Sequence, residues 1–287
     1  MYQSLSINKR RFVMIQYIKH ELKKIFLRWE TWVVLAICFA VALAGIIETL
    51  SFFPDRFIET AKPRYHRSML ILSGIGQMWC LFLGFIAASI PCACSYFEEN
   101  TNKSDIILIS KIGRTQYYLS KFIVTAIVGF IIAVLPLLVH YVLCMIAVPG
   151  KDALIIVNGV YNNGDSIIED TTIFTRLFMN HPDLNVFVHI GIFGLWGMML
   201  TLFTYTISLF FRKKLILNLA ISTILSLAFE LLLNSLKLGY LGVYSYLNPG
   251  PGSYNTNFPA FMILWGAFML INVVMLAVKI KAKKDIL

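Results

Sequence analysis

Three ionisable side chains interrupt otherwise apolar stretches of this sequence: Glu48, His140 and Glu230. A charge is expensive in hydrocarbon, so residues of this kind commonly line ion or substrate pathways or relay protons. Glu230 is the best candidate for a polar contact along a substrate path, and His140 follows the kinking residue Pro136 by four positions. The alternative is that these groups form hydrogen bonds between helices. Each stretch holds one such residue without an evident basic partner, so both interpretations stay open.

Sequence motifs that build an active site are absent. The chain has no G-x-x-x-x-G-K-[ST] phosphate loop, no H-E-x-x-H zinc helix and no G-x-S-x-G nucleophile elbow. Cys92 and Cys94 have the spacing of a metal pair, but no histidine or further cysteine follows at ligand spacing, which favours small packing residues. We therefore predict neither an enzyme nor a bound cofactor or metal. Any work against a gradient would draw on ions or on another chain.

The composition indicates which elements carry these residues. Of the 287 residues, 58% are hydrophobic and 14% are charged, against roughly 45–50% and 25% in an average soluble domain. A soluble fold of this composition would leave large apolar areas exposed, so we predict an all-α polytopic membrane protein. Its single transmembrane domain, residues 32–287, would hold six spans of the length that a bilayer requires. These spans cover about 32–52, 70–93, 122–148, 187–211, 215–233 and 258–278.

The charge distribution predicts how the chain is oriented. The formal net charge is +10, and with the N-terminus inside, most Lys and Arg residues fall in inner segments, whereas the outer loops balance acids and bases. This asymmetry follows the positive-inside rule and predicts that both termini lie in the cytoplasm. The excess of basic residues is then explained by orientation and by the anionic lipid of a cell membrane. We therefore predict that these residues contact the lipid bilayer and do not bind nucleic acid.

The N-terminal segment, residues 1–31, has its own pattern. From Val13 to Trp29, apolar residues recur at intervals of three and four, while lysines, Gln16, His20 and Arg28 occupy the other face. This pattern is typical of an amphipathic helix that lies in the inner membrane interface. It is either an ordinary juxtamembrane anchor or a helix that also braces a cytoplasmic gate.

The connection between the second and third spans, residues 96–121, is too long for a tight turn. Its run from Ile106 to Ile112 is apolar although the connection should face the cytoplasm. Nothing else in the chain evidently covers such a helix. A short apolar helix offered to the cytoplasm indicates a docking surface for a partner.

This connection resembles the one in permease subunits of ABC-2-type transporters. That family has an acidic residue after its second span, a leucine-rich turn and a basic step into the third span. The inner-leaflet helix, the six spans and the two inner termini agree with the same family plan. The matching residues are Glu99, Ser104, Leu108, Ile112, Arg114 and Lys121, with Gly113 in the position of a family serine.

The resemblance implies the membrane-spanning half of an ATP-driven transporter. Two ABC ATPase subunits would bind ATP and dock on the helix described above, and a second permease chain, identical or homologous, would complete the pathway. Glu99 and Arg114 would hold the docking helix by charge pairs. The family favours export of an amphipathic peptide, an antibiotic or another lipophilic compound. The implied ATPase-coupling helix comprises Glu99, Ile106, Leu108, Ile109, Ile112, Gly113 and Arg114.

A Gly- and Tyr-rich outer loop, residues 236–257, precedes the sixth span. The resemblance implies a short re-entrant element there that closes an outer gate; a plain surface loop is the alternative. Candidates for the translocation path or gate are Glu230, His140, Tyr246 and Pro249.

Two further interpretations stay open. The fourth span either lines an adaptable apolar cavity or packs against lipid and protein through Trp196, Met198, Met199, Phe203 and Tyr205. The competing functional class is a polytopic membrane enzyme or an ion-coupled carrier that acts alone. Such a protein would need no ATPase partner and would depend on Glu230 or His140.

Overall fold

Helices form nearly all of the chain that a computed structural model describes, namely residues 2–51, 70, 74–147, 174, 177, 180–211, 215–242, 246 and 258–282. Of residues 2–11 only the backbone is described. No β-strand occurs in these ranges. The α-helices are α1 (Tyr2–Leu27), α2 (Trp29–Ser51), α3 (Gly74–Met78), α4 (Gly84–Thr101), α5 (Ser104–Ile112), α6 (Arg114–Ala147), α7 (Pro182–Ser208), α8 (Leu215–Ser235) and α9 (Phe258–Lys281).

Five of these helices are long and apolar enough to cross a bilayer. They are α2, α6, α7, α8 and α9, with candidate spans over Trp29–Ser51, Arg114–Ala147, Asp183–Ser208, Asn218–Ser235 and Phe258–Lys281. A backbone in hydrocarbon must satisfy its own hydrogen bonds, which helices do. The chain is therefore an all-α polytopic membrane protein, as its composition predicts. The sixth span and the inner location of both termini stay predictions.

The second predicted span, residues 70–93, is not one regular helix. From Gly74 onward it is divided into α3, a π-helical segment at Trp79–Leu83, and α4, which contains Pro91 and continues to Thr101. Gly84, the residue after the π-helical segment, lies close to the backbone of that segment. A Cβ added to Gly84 would lie 2.8 Å from the carbonyl oxygen of Trp79. Glu99, expected in a connecting segment, thus lies in the last turn of a helix.

Helices α6 and α7 form the centre of the bundle. The most apolar window of α7 is 67% buried, whereas that of α9 is 17% buried. Small residues allow the two central helices to approach closely. A Cβ on Gly197 would lie 2.5 Å from the Cβ of Ala133, and one on Gly129 would lie 2.7 Å from the Cβ of Thr201. The outer helices α2, α8 and α9 are left with apolar side chains on the bundle surface.

Helix α5 is joined to its neighbours by very short links. Asn102 and Lys103 form the turn after α4, and Lys103 has a left-handed φ of 55°. Gly113 alone separates α5 from α6, with φ 88° and ψ 146°, a backbone conformation that glycine adopts without the steric penalty of a Cβ. The short helix predicted in this connection is therefore present at Ser104–Ile112, and its links to α4 and α6 are two residues and one residue long.

The amphipathic helix predicted in the N-terminal segment is present as α1, and it packs on the bundle. Tyr17, Glu21 and Ile25, four residues apart on one face, are buried, and on α6 Tyr117 packs near Tyr17 while Lys121 bonds to Glu21. Phe12 and Ile15 on the other side are exposed. The helix is thus attached to protein along one face and exposes apolar residues on the other, and its location in the membrane interface stays a prediction.

Candidate functional site: an ionic cluster where α1, α4 and α6 meet

Four charged side chains and a tyrosine meet where α1 crosses the C-terminus of α4 and the N-terminus of α6. We call this group the ionic cluster: Glu21, Lys24, Glu99, Tyr117 and Lys121. Each of the three helices contributes at least one member, and the two glutamates and Lys121 are almost completely buried. The cluster therefore joins α1 to both helices that flank α5.

Lys121 lies at the centre of the ionic cluster. Its Nζ donates to Glu21 Oε2 at 2.6 Å and to Glu99 Oε1 at 2.7 Å. Lys24 Nζ donates to the same Glu99 oxygen at 2.5 Å, and the Tyr117 hydroxyl donates to Glu99 Oε2 at 2.7 Å. Both oxygens of the Glu99 carboxylate are thus hydrogen-bonded, with contacts to α1 and α6.

Two carboxylates and two ammonium groups give the ionic cluster a formal charge of zero. Burial alone would raise the pKa of the Glu99 carboxyl, but Lys121 and Lys24 outweigh this effect and keep that pKa below its ordinary value of 4.5. A buried ion pair contributes little net stability when complete, whereas removing one partner leaves an uncompensated charge and is strongly destabilising. The cluster therefore fixes the relative positions of the three helices.

A second ion-pair group lies beside the cluster, at the bend between α1 and α2. The guanidinium of Arg28 donates to both oxygens of Glu98, with Nη1 at 2.8 Å from Oε2, and its Nη2 lies 2.9 Å from Glu30 Oε1. Paired hydrogen bonds of this kind orient arginine against a carboxylate. Adjacent acids at the end of α4, Glu98 and Glu99, thus bind two successive parts of the N-terminal segment.

The apolar residues of α5 divide between two sides. Ile106 and Ile107 are 46% and 57% exposed. Leu108, Ile109 and Ile112 instead pack against a group of buried tyrosines that includes Tyr17, Tyr117 and Tyr118. Of the four apolar residues predicted to contact a partner, Ile106 faces outward and the other three pack largely inward. Ile107, which that prediction omitted, belongs to the outward face.

The two charged residues expected to hold the docking helix both make contacts within this chain. Glu99 belongs to the ionic cluster. Arg114 Nη2 donates to the backbone carbonyl of Lys279 at 2.7 Å, near the C-terminus of α9, where helix carbonyls lack an intrahelical donor. Glu99 and Arg114 therefore connect the two helices next to α5 with α1 and α9.

The candidate path and gate residues lie elsewhere in the fold. His140 is fully buried, with Cys144 Sγ 3.7 Å from its Nε2. The carboxylate of Glu230 on α8 lies directly against Gly242. A Cβ added to Gly242 would overlap Oε2 of Glu230. Tyr246 is buried, with its ring centroid 4.4 Å from that of Phe261. Pro249 lies outside the described residues, as does most of the outer loop.

Glu48, the third interrupting residue, has a local role. Its Oε1 accepts a hydrogen bond from the backbone N of Gly74 at 2.7 Å, and its Oε2 accepts one from Ile75 at 3.3 Å. These are the first amide groups of α3, which have no partner within the helix. The carboxylate thus joins the end of α2 to the start of α3.

Sequence reasoning missed Glu21 and the central role of Lys121. A signal for Glu21 was available, because it lies between Tyr17 and Ile25 on the face of α1 that the apolar spacing defines. A carboxylate on a buried face indicates a cation close to it, because an unpaired buried charge is unfavourable. Lys121 carried a comparable signal, since it continues directly into the apolar run of the third predicted span.

Within the described ranges, no group of three or more His, Cys, Asp or Glu side chains is arranged to hold a metal ion. Cys92 is buried and Cys94 is partly exposed. The class that the fold defines is a multi-pass α-helical membrane protein. Comparison with known protein families, characterised proteins and solved structures gives no match for this chain.

Proposed function

We propose that this chain is the permease subunit of an ATP-binding-cassette transporter. Two separate ATPase subunits would bind at α5, a second permease chain would complete the pathway, and the hydrolysed ATP would be bound by the ATPase subunits. The exported molecule would be an amphipathic peptide, an antibiotic or another lipophilic compound, as the resemblance to ABC-2-type permeases implies. The observation that carries the proposal is the fixed position of α5, which exposes two adjacent isoleucines between the ends of two long helices.

The outward face of α5 suits a protein partner. Ile106 and Ile107 are flanked on the same helix by the exposed polar residues Ser110 and Lys111, so apolar side chains would be surrounded by polar ones in an interface. Gly113 links α5 to α6 without intervening loop residues. A partner that moves α5 would therefore move the start of α6.

The ionic cluster gives this movement a wider effect. Through Glu99 and Lys121 the C-terminus of α4 and the N-terminus of α6 are bonded to each other. Through Glu21 and Lys24 both are bonded to α1. A packed element of this kind moves as a rigid body rather than deforming continuously. We therefore assign the cluster the role of transmitting ATPase movements to the membrane-spanning helices.

The apolar surface supports the expectation of a second permease chain and of lipid contact. On α2, Trp32, Ile37 and Ile47 are exposed on the bundle surface. Apolar surfaces of this kind must be covered by lipid or by protein, because their contact with water is unfavourable. The side chains of α2 are thus available both to the bilayer and to a partner permease.

The test is co-expression with an ATP-binding-cassette subunit encoded beside this chain, followed by purification through a tag on this chain. We expect the ATPase to co-purify with the natural sequence and to be lost with the double substitution Ile106→Asp and Ile107→Asp. Leu236→Asp changes an exposed aliphatic residue just after the C-terminus of α8 and should leave co-purification intact. Unchanged co-purification and ATP hydrolysis in the double variant would refute the docking role of α5.

The competing class, a carrier or membrane enzyme that acts alone, makes the opposite prediction. It requires an ionisable group at Glu230 or His140, so Glu230→Gln or His140→Gln would abolish its activity without any ATPase present. The permease proposal expects both variants to keep ATPase binding, because neither residue belongs to α5 or to the ionic cluster. The two substitutions therefore separate the classes when transport activity without an ATPase and ATPase co-purification are both measured.

A further inference from the structure

A cavity of about 350 Å³ lies between α7, α8 and α9. Its walls include Trp196 and Met199 of α7, Phe229 of α8 and Phe268 of α9. Of the five residues of the fourth span that could line a cavity, Trp196, Met199 and Phe203 do so. Met198 and Tyr205 are not among the lining residues, and Tyr205 packs with the tyrosines near the ionic cluster. The cavity is separate from the cluster and from α5.

The walls of the cavity are suited to an uncharged apolar molecule. Phe268 makes edge-to-face contacts with Trp196 and Phe229, with ring centroids 6.0 and 5.2 Å apart. Aromatic walls of this kind accept apolar rings and chains. Of the described residues that line the cavity, none is ionisable. A charged ligand would therefore meet no counter-charge at this position in the membrane.

Asn272 supplies a polar contact in the cavity wall. Its side chain is 1% exposed, its Oδ1 accepts a hydrogen bond from Thr206 at 3.0 Å, and its Nδ2 donates to the carbonyl of Met199 at 3.4 Å. An amide carries two N–H donors, and among the described residues the second has no acceptor. A buried donor without an acceptor is unfavourable. Because Asn272 is 1% exposed, its amide must turn toward the cavity before the acceptor atom of a ligand can bind it.

The cavity is accessible from the hydrocarbon region. Its outer wall belongs to α8, a peripheral helix, where Leu225 and Leu232 line the cavity and are about half exposed. Asn272 lies nine residues before Lys281, or about 13 Å along the helix axis at 1.5 Å per residue. The acceptor of a ligand would thus be bound inside the membrane rather than at its surface.

We infer that this cavity binds a neutral lipophilic molecule with a hydrogen-bond acceptor, which enters from the bilayer past α8 and bonds to Asn272. A volume of about 350 Å³ is near the lower end of the range of ligand pockets, so the ligand is a small ring compound or a single chain rather than a peptide. Binding here needs this chain alone and does not depend on the ATPase interaction.

The test uses the full chain in phospholipid nanodiscs and two photoreactive probes, a diazirine-bearing long-chain methyl ketone and the matching alkane. Cross-linked residues are identified by mass spectrometry. We expect both probes to label α8 and α9 around the cavity. Ser226→Phe fills the cavity and should lower labelling by both probes at least fivefold. Ile224→Phe, on the exposed side of the same helix, should leave labelling unchanged.

The role of Asn272 is tested by a second pair of variants. Asn272→Leu should lower labelling by the ketone about five- to tenfold, as expected for one lost hydrogen bond, and leave labelling by the alkane unchanged. Thr206→Val removes the neighbouring hydrogen bond but keeps the amide, so it should preserve labelling by both probes. Equal labelling of the Ser226→Phe and Ile224→Phe variants would overturn the cavity as a binding site. An equal response of both probes to Asn272→Leu would overturn the role of the amide.

Discussion

The region around the ionic cluster and the region around the apolar cavity hold their helices together in different ways. In the first, α1, α4 and α6 are joined by directional bonds of 2.5 to 2.7 Å between a hydroxyl and four charged groups, all buried except Lys24. In the second, α7, α8 and α9 meet through aromatic edges that leave a cavity of about 350 Å³. Directional bonds fix relative position, which suits transmission of movement, whereas loose apolar packing leaves space for a ligand.

Removing the central cation of the ionic cluster should have the largest effect. Lys121→Met removes the ion-pair partner of the buried Glu21 and leaves Glu99 paired with Lys24 among the described residues, so we expect a loss of about 3–5 kcal/mol in the free energy of unfolding. Thermal and denaturant unfolding of the purified chain in detergent would measure it. Lys111→Met, at an exposed position of α5, should stay within about 0.5 kcal/mol.

A compensating change sharpens the same prediction. Adding Glu21→Gln to Lys121→Met removes the carboxylate that has lost its ion-pair partner and should recover part of the lost stability. If the double variant is no more stable than Lys121→Met alone, the loss comes from packing and the electrostatic account of the cluster is wrong.

Acidification should weaken the region around the ionic cluster. The pKa of Glu99 in the folded chain lies below its ordinary value of 4.5, so its contribution to stability is complete above that value and declines as the pH falls through the folded pKa. Unfolding temperatures measured from pH 7 to pH 3 should show this decline. We expect a smaller loss than with Lys121→Met, because a protonated Glu99 can still hydrogen-bond.

The pH dependence has an internal control. Glu99→Gln removes the titrating group, so the difference in unfolding temperature between the natural chain and this variant should shrink below pH 4.5. A difference that stays constant across the pH range would show that Glu99 does not contribute through its charge.

Close packing at the centre of the bundle can be disrupted without changing any charge. Gly197→Val places its side chain against Ala133 on α6, and overpacking of this kind costs about 1–3 kcal/mol. Gly191 lies on the same helix with no atom within 4 Å of an added Cβ, so Gly191→Val should cost less. Equal unfolding temperatures for the two variants would contradict the close approach of α6 and α7.

The smallest expected effect belongs to a hydrogen bond beside the cavity. Thr206→Val removes the bond to Asn272, and interhelical hydrogen bonds between membrane helices average about 0.6 kcal/mol. Unfolding in detergent should therefore detect a small loss at most. A loss as large as that of Lys121→Met would remove the distinction between the two regions.

The sequence predicted five of the long helices well because their signal, a continuous apolar run, is local. It missed the extent of α6, which begins at Arg114 rather than near residue 122. Ser120 and Lys121 are polar and suggest a loop, but protein contacts rather than lipid surround them, so a polar residue is tolerated there. The π-helical segment before Gly84 has no comparable pattern in the apolar spacing.

The candidate site was predictable only in part, because its members come from separate helices. Residues 21, 99 and 121 are brought together by tertiary structure, and no spacing along the chain encodes that contact. Helix α5 presents a different problem. Ile106, Ile107, Ile109 and Ile112 are all apolar, so composition does not distinguish the side packed on tyrosines from the side left exposed.

The role of the ionic cluster in transmitting movement is tested most directly by spin-label distances in a complex with the ATPase subunits. Labels at Lys111 on α5 and Ile15 on α1, both exposed, report on one unit, and labels at Lys111 and Ile224 on α8 report on movement between units. On addition of ATP we predict an unchanged distance between α5 and α1 and a changed distance between α5 and α8. A change between α5 and α1 with none between α5 and α8 would contradict the account.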